Sequence, residues 1–313
     1  MTNRTWPSLV LEEWQDTLAT LHMWTQIVGK IRMKQTPLIN HWWNVTLYVS
    51  ARGLTTSPMP YQDRIFEIEF DFTEHMLEIA TSGGDHKQIA LQPRTVAEFY
   101  DAVMAALREA GIRVEINDFP SEIPGAIPFS TDQTHAAYDA EYARRFWRVL
   151  VQADRVFKQF RTGFIGKSSP VHFFWGSFDL AVTRFSGRRA PPHPGGVPGL
   201  PDTVMHDAYS HEVSSAGFWP GGGGIDYAAF YSYAYPEPDG FRTSAVEPEA
   251  AFFNETLGEF LLPYDAVRTA SDPDAMLLAF LQSTYEAAAR AGKWDRAALE
   301  CAPGIPGVPK PPR

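Results

Sequence analysis

The sequence TQIVGK at residues 25–30 recurs as TGFIGK at residues 162–167. In both places a helical pattern precedes the motif and a proline follows it, and a histidine with two aromatic residues comes next, at His41 and at His172. Each half of the chain then ends in a helical pattern that closes on Ala-Gly. The same order of features twice in one chain is typical of an internal duplication. We therefore predict two copies of one unit, with His41 and His172 at equivalent positions.

Alternation of residue types indicates how each unit is built. Residues 64–72 read RIFEIEFDF, in which apolar and charged side chains alternate, as in a strand with one buried face. Similar segments at 210–218 and 229–235 predict strands in the second half, which begins with a long helical pattern at 138–163. Each unit has one helix before its strands and one after them. The sequence therefore predicts an α+β fold of two tandem α-β4-α units with antiparallel sheets, joined or packed face to face.

The positions of proline and glycine suggest where the units end. We predict a first α+β unit at 1–118, a linker at 119–137, a second α+β unit at 138–300 and a Pro-rich tail at 301–313. Residues 186–207 form a Pro-, Gly- and Arg-rich excursion with no counterpart of that length in the first unit. Long loops inside compact domains are usually functional or disordered. We therefore expect the second unit to carry the site.

Composition limits the classes of partner. The 313 residues carry a formal net charge of −10, which disfavours binding to nucleic acid or to a membrane surface. The N-terminus shows no signal-peptide pattern, and the single Cys301 cannot form an internal disulfide. Nine Trp, 12 Tyr and 21 Phe are enough for a large core and an aromatic-lined pocket. We expect a cytoplasmic protein with a small-molecule ligand and with no nucleic-acid or membrane partner. The composition leaves the oligomeric state open.

Residues 172–219 are the densest polar and aromatic region and contain four of the nine histidines. Polar groups that converge inside an aromatic lining are typical of a ligand site. Imidazole and carboxyl groups transfer protons, and guanidinium groups bind carboxylate or phosphate through paired hydrogen bonds. We predict catalytic roles for His172, Asp179, His211 and Glu212. We predict ligand contacts from Arg184, Arg188, Arg189, Trp175, Trp219 and His41.

Other interpretations of these groups stay open. The arginine-rich loop would instead be solvated and paired with the acidic surface of the same protein. A divalent metal would use His206 and His211, although this spacing is not a specific ligand motif and HExxH is absent. Because neighbouring strand residues point to opposite faces, His211 and Glu212 cannot easily bind one ion. The cofactor, if any, is not determined by the sequence.

Several long phrases resemble a known family. They are WQDTLATLHMWTQIVGK at 14–30, NHWWNVTLYVSARGLTTS at 40–57, SPVHFFWGSFDLAVTRFSGRRAPPHPGG at 169–196 and YSHEVSSAGFWPGG at 209–222. They resemble the bacterial family called domain of unknown function 5996, and the resemblance extends from Trp6 to about Trp294. It implies one full-length unit and carries no activity, cofactor or catalytic residue.

Function is therefore predicted from the residues. Our first hypothesis is an enzyme that acts on a small anionic molecule in a His/Arg/aromatic pocket, with metal assistance as an option. The second is a non-catalytic protein that binds a small ligand in the same pocket. The third is a structural or oligomeric scaffold whose aromatic residues belong to the core.

Overall fold

Two antiparallel sheets of six strands each, with helices around them, form the α+β fold that the sequence predicts. A computed structural model describes residues 5–309. The predicted strands at 64–72, 210–218 and 229–235 are present. Each sheet has six strands where the sequence indicated about four, because strands of two or three residues are too short to show an alternating pattern.

The first sheet has the order β1-β2-β4-β5-β6, and β3 also pairs with β4. Its strands are β1 (Tyr48–Val49), β2 (Gly53–Thr55), β3 (Met59–Tyr61), β4 (Arg64–Asp71), β5 (Met76–Thr81) and β6 (His86–Ala90). The second sheet has the order β11-β12-β10-β9-β8-β7. Its strands are β7 (His172–Phe174), β8 (Asp179–Arg189), β9 (His211–Trp219), β10 (Ala229–Tyr235), β11 (Phe252–Asn254) and β12 (Glu259–Pro263).

Several of the helices begin at a residue whose side chain accepts a hydrogen bond from a free backbone N–H group. The helices are α1 (Gln15–Gln35), α2 (Val96–Glu109), α3 (Ala140–Arg161), α4 (Asp202–Ala208), α5 (Tyr264–Thr269), α6 (Pro273–Ala291) and α7 (Arg296–Leu299). Thr95 and Glu98 form a capping box at the start of α2, and the side chains of Asp139 and Asp272 cap α3 and α6. These caps are local in sequence, so the helix starts can be predicted from the chain alone.

The two sheets meet edge to edge. Leu47, just before β1, and Phe173 in β7 exchange two backbone hydrogen bonds of 2.9 and 2.8 Å. One face of the second sheet is apolar and packs on helices: Phe230 contacts Phe157 of α3, and Phe218 contacts Tyr264 of α5. The other face of this sheet is free of helices over much of its area and forms one wall of a cavity.

The internal duplication stays a prediction. The first copy of the motif lies inside α1, whereas the second begins at Thr162, where α3 has ended. His172 begins strand β7, but His41 lies in the irregular segment Asn40–Val45, where a strand was expected. In the second sheet β11 forms the outer edge and β12 lies between it and β10, so the order of these strands in space differs from their order in the chain. Similar sequence phrases therefore occupy different local structures in the two halves.

The segment 119–137 is not an exposed connection. Ser121, Phe129 and Asp132 are buried, and the backbone N–H of Glu122 donates to the carbonyl of Pro198 at 2.8 Å. Residues from this segment therefore belong to the packed body of the protein. The division into two units that fold separately stays a prediction.

Gly29 tests the contact between α1 and the second sheet. A Cβ at this position would overlap the indole ring of Trp175. We expect Gly29→Ala to lower the free energy of unfolding by about 1–3 kcal/mol through overpacking, although alanine favours a helix by ~1 kcal/mol over glycine. Urea unfolding measures the change. The control is Gly83→Ala, where the new Cβ would lie 3.5 Å from its nearest neighbour. Equal stability of Gly29→Ala and the wild type would contradict this packing.

Candidate functional site

A cavity of about 720 Å³ lies on the face of the second sheet that is opposite α3 and α5. Its floor is formed by side chains of β8, β9, β10 and β12. Its cover is formed by the end of α1, the segment Asn40–Val45, residues 117–122 and residues 199–209. The predicted excursion at 186–207 thus contributes most of one side of the cover. The cavity is large enough for a small organic molecule.

The floor owes its chemistry to strand alternation. In β8, Asp179, Ala181, Thr183 and Phe185 point into the cavity, and the residues between them point to the helices. The Thr183 hydroxyl lies 2.9 Å from the hydroxyl of Ser215 on the neighbouring strand. Polar groups on this face are thereby held in rows by the pairing of the strands.

Asp179 is the best-anchored acid of the floor. Its carboxyl group accepts hydrogen bonds from the hydroxyl groups of Ser177 and Tyr231. The Tyr231 ring stacks on Tyr233 at 6.1 Å, and the Tyr233 hydroxyl lies 2.8 Å from that of Tyr209 in the cover. Burial raises the pKa of Tyr233 to about 12, so this phenol stays neutral at neutral pH.

Glu122 reaches the cavity from the cover in a strained conformation. Its φ angle is +64°, which costs a non-glycine residue on the order of 1–3 kcal/mol. A Cβ on Gly176 would overlap the Glu122 carboxyl group, so the glycine at 176 makes room for it. Gly199, with φ +68°, packs against the backbone of Ser121 and Glu122 from the other side. The backbone thus holds this carboxyl group in place at an energetic cost.

Three carboxyl groups in the cavity share a low-dielectric environment. Burial, with a smaller effect of the Asp179 charge, raises the pKa of Glu122 and of Glu259 to about 7. Burial also raises the pKa of Asp179, although its two hydrogen bonds act in the opposite direction. Within residues 5–309, no lysine or arginine forms an ion pair with any of the three. Near pH 7 the cavity therefore contains acids that can both give and take a proton.

Lys30 is the basic group of the cover. Its side chain is 3% exposed, and its ammonium group donates to the Ser121 hydroxyl at 3.0 Å. The same group lies 5.7 Å from the centre of the Trp175 ring. Burial lowers the pKa of Lys30 to about 8. A fraction of this amine is therefore neutral at mildly alkaline pH.

His41 fastens the cover to the edge of the floor. Its backbone N–H donates to the Asp207 carboxylate at 3.1 Å, and its ring nitrogen Nδ1 lies 3.0 Å from the carbonyl of Ala208. The other ring nitrogen, Nε2, lies 2.6 Å from the Lys167 ammonium group and can accept from it. Burial, the largest effect, lowers the pKa of His41. A neutral His41 therefore connects α4 to Lys167, the last residue of the second motif, TGFIGK.

Four of the predicted site residues line the cavity: Asp179, Trp175, Trp219 and His41. His211 lies beside them, with its ring 5.9 Å from that of His41. His172 is fully buried next to Trp43 and Phe174, and burial lowers its pKa to about 3. It is therefore neutral, and its Nε2 has no hydrogen-bond partner among the described residues.

The structure does not bring the predicted arginines to the cavity. Arg184 lies on the opposite face of β8, where its guanidinium group is 3.5 Å from the centre of the Phe160 ring and 4.3 Å from that of Tyr285. Arg188 forms an ion pair with Glu212 at 2.6 Å and also contacts carbonyl groups at the end of α6. Arg189 and His206 are exposed. The interpretation of a loop paired with the protein's own acidic surface therefore describes Arg188.

Metal ligands do not converge in the described chain. From residue 5 to residue 309, no three His, Cys, Asp or Glu side chains are grouped closely enough to hold a metal ion. His206 lies in the last turn of α4, and His211 is the first residue of β9.

Sequence reasoning missed several groups that the cavity brings together: Lys30, Glu122, Tyr231, Tyr233 and Glu259. Two of them had a signal, because YSYAY at residues 231–235 places tyrosines on one face of a strand. Glu122 had none, since it lies in an irregular, proline-containing segment.

The raised pKa of the two glutamates predicts a pH-dependent cost to stability. Their folded pKa of about 7 exceeds the ordinary value of 4.5, so the folded protein retains protons that the unfolded chain has lost. Stability should therefore fall as pH rises from 4.5 to about 7. We expect Glu122→Gln and Glu259→Gln each to have a free energy of unfolding on the order of 1–3 kcal/mol higher than the wild type at pH 8. At pH 4 we expect little difference.

Thermal unfolding at both pH values measures this gain, with the exposed Glu115→Gln as control. A gain that is the same at low and high pH would contradict the burial of ionisable groups and leave only a packing effect.

Comparison with known proteins identifies the family and no individual relative. Within the described residues, no helix combines the length and the apolar character needed to span a membrane. Neither the curated proteins nor the solved structures contain a match to the chain. The model of one family matches residues 6–301, nearly the whole sequence. The chain therefore belongs to this family of unknown function, DUF5996.

Proposed function

We propose that this protein is an enzyme that binds a small organic molecule in the cavity and transfers a proton to or from it. The observation that carries the proposal is the group of three acids, Glu122, Asp179 and Glu259, that face one buried cavity and form no ion pair with a lysine or arginine among residues 5–309. Burial of unpaired acids destabilises a fold. Groups with such perturbed pKa values cluster at functional sites.

The surroundings of the acids suggest a division of roles. Asp179 accepts hydrogen bonds from Ser177 and Tyr231, which stabilise its ionised form. No side chain in the described structure donates a hydrogen bond to Glu122 or Glu259, so these two retain a proton more readily. Asp179 is therefore the base, and Glu122 or Glu259 is the acid. Acid–base roles commonly follow from two carboxyl groups in unlike environments.

The aromatic walls supply binding rather than chemistry. Trp42, Trp43, Trp175 and Trp219 line the cavity together with the tyrosines of β10. Rigid rings of this kind contact an organic molecule over a large area and exclude water from the acids. Exclusion of water in turn holds the pKa of Glu122 and of Glu259 at about 7, near the pH at which proton transfer is efficient.

The lining of the cavity shows which of the basic residues are placed to hold an anionic substrate. The anionic molecule that the sequence suggested would have been held by Arg184, Arg188 and Arg189, but none of these lines the cavity. The lysine that lines the cavity is Lys30. A non-catalytic binding protein would use the same walls, and it differs from an enzyme only in whether a bound molecule is changed.

Substitution of Asp179 tests the proposal. The purified protein is incubated in D₂O with a small-metabolite extract, and mass spectrometry follows the loss of compounds and their uptake of deuterium. We expect at least one compound to be consumed or labelled, and Asp179→Asn to slow this by about a hundredfold or more, because a positioned base contributes 10²–10⁴-fold. The control is Asp101→Asn, on the exposed face of α2.

Two results would contradict the proposal in different ways. A compound that co-purifies with the protein, or stabilises it, without being changed would identify a binding protein. Equal turnover by Asp179→Asn and the wild type would show that the chemistry does not use this cavity.

A further inference from the structure

We propose that Lys30 is a nucleophile that forms an imine with an aldehyde or ketone bound in the cavity, an inference that rests on the proposed function of this cavity. It extends that function by naming the class of substrate and a covalent step. The acids of the cavity alone specify neither.

The position of Lys30 is unusual for a lysine. The side chain is 3% exposed and lines the cavity from α1. A buried ammonium group normally has a carboxylate partner, because the unpaired charge is costly to desolvate. Other lysines of this chain have one: Lys158 pairs with Asp154 at 2.6 Å and Lys87 with Glu109 at 3.0 Å. In the described part of the chain, the hydrogen-bond partner of the Lys30 ammonium group is the neutral Ser121 hydroxyl.

This environment favours the neutral amine. Burial is the cause that lowers the pKa of Lys30 to about 8, so deprotonation requires no unusual pH. A serine hydroxyl can accept from an ammonium group and donate to an amine, so Ser121 remains a partner in both states. Lysines desolvated in apolar pockets are the ones that proteins use as amine nucleophiles.

A rigid network holds the amine in place. Gln26 lies one turn before Lys30 on the same face of α1. Its side-chain amide donates to the Ser121 carbonyl at 2.8 Å and accepts from the Ser121 N–H at 2.7 Å. One turn earlier, His22 Nε2 lies 2.8 Å from the carbonyl of Gly176, the residue against which Glu122 packs. The same face of α1 thus positions the Lys30 amine, the Ser121 hydroxyl group that it contacts, and Gly176, against which the Glu122 carboxyl group packs.

The chemistry needs no further reagent. The neutral Lys30 amine adds to the carbonyl carbon, a C–N bond forms as the π bond of the carbonyl group breaks, and the proton that the nitrogen releases passes to the oxygen to give a carbinolamine. A protonated glutamate, Glu122 or Glu259, then gives a proton to the hydroxyl group, which leaves as water when the C–O bond breaks. The products are a protonated imine, in which the nitrogen keeps its remaining proton, the glutamate carboxylate and one water molecule. Asp179 is then available to remove a proton from the carbon next to the imine.

Reductive trapping tests the imine directly. The wild-type protein is treated with benzaldehyde and sodium cyanoborohydride at several pH values, and peptide mapping by mass spectrometry locates the benzyl groups. We expect Lys30 to be modified about tenfold faster than Lys34, an exposed lysine one turn later on the same helix. The rate at Lys30 should rise with pH and level off above about 8. Lys30→Arg keeps the charge and should lose this modification.

Benzoate separates a nucleophile from a counter-ion, because it matches benzaldehyde in shape and cannot form an imine. Modification of Lys30 no faster than of Lys34 would overturn the proposal, and it would assign Lys30 to anion binding if benzoate stabilises the wild type and not Lys30→Arg. Metabolite turnover that needs Asp179 and persists in Lys30→Arg would overturn the imine alone. Selective trapping at Lys30 without any turnover would support the imine and contradict the proposed enzyme.

Discussion

The indole of Trp175 resting on Gly29 is the contact on which the site depends. Trp175 follows β7, and its ring occupies the space that a side chain at position 29 of α1 would fill. Its Nε1–H donates to the carbonyl of Val45 at 2.8 Å, which adds the segment Asn40–Val45 to the same junction. Three parts of the chain that are distant in sequence meet at this ring. The contact sets the distance between α1 and the second sheet, and that distance is the depth of the cavity.

The polar face of α1 connects this junction to the ionisable groups of the cavity. His22, Gln26 and Lys30 recur every four residues and contact Gly176, Ser121 and Ser121 in turn. This gives a physical meaning to the motif TQIVGK: its glutamine orients Ser121, its glycine admits Trp175, and its lysine reaches the cavity. In the second copy the lysine is Lys167, which contacts His41 at the other end of the cavity. Lys30 therefore lines the cavity, whereas Lys167 contacts a residue of its lining, and the backbone around the two lysines differs.

The cavity concentrates groups that a fold optimised for stability would avoid. Glu122 has a left-handed backbone, and His41 and Trp42 share a φ of +60°. In the part of the chain that the structure describes, Glu122, Asp179 and Glu259 form no ion pair, and neither does Lys30. Strain and unpaired ionisable groups persist when the surrounding structure over-determines them, and they are characteristic of functional sites. The large aromatic core behind the second sheet supplies the stability that tolerates them.

The sequence by itself determined the α+β class, the alternating strand β4, the caps of α2, α3 and α6, and the family, because each depends on residues close together in the chain. The alternation of side chains along a strand also contained information that the prediction of the site did not use. Asp179 and Arg184 are an odd number of residues apart, so a β-strand that contains both must point them to opposite faces. Only the tertiary structure decided that Lys30, Glu122, Asp179 and Glu259 face one cavity. Lys30 and its partner Ser121 are 91 residues apart, and no local pattern encodes a contact at that separation. The pKa of each group follows from that shared burial, and so does the chemistry that we propose for them.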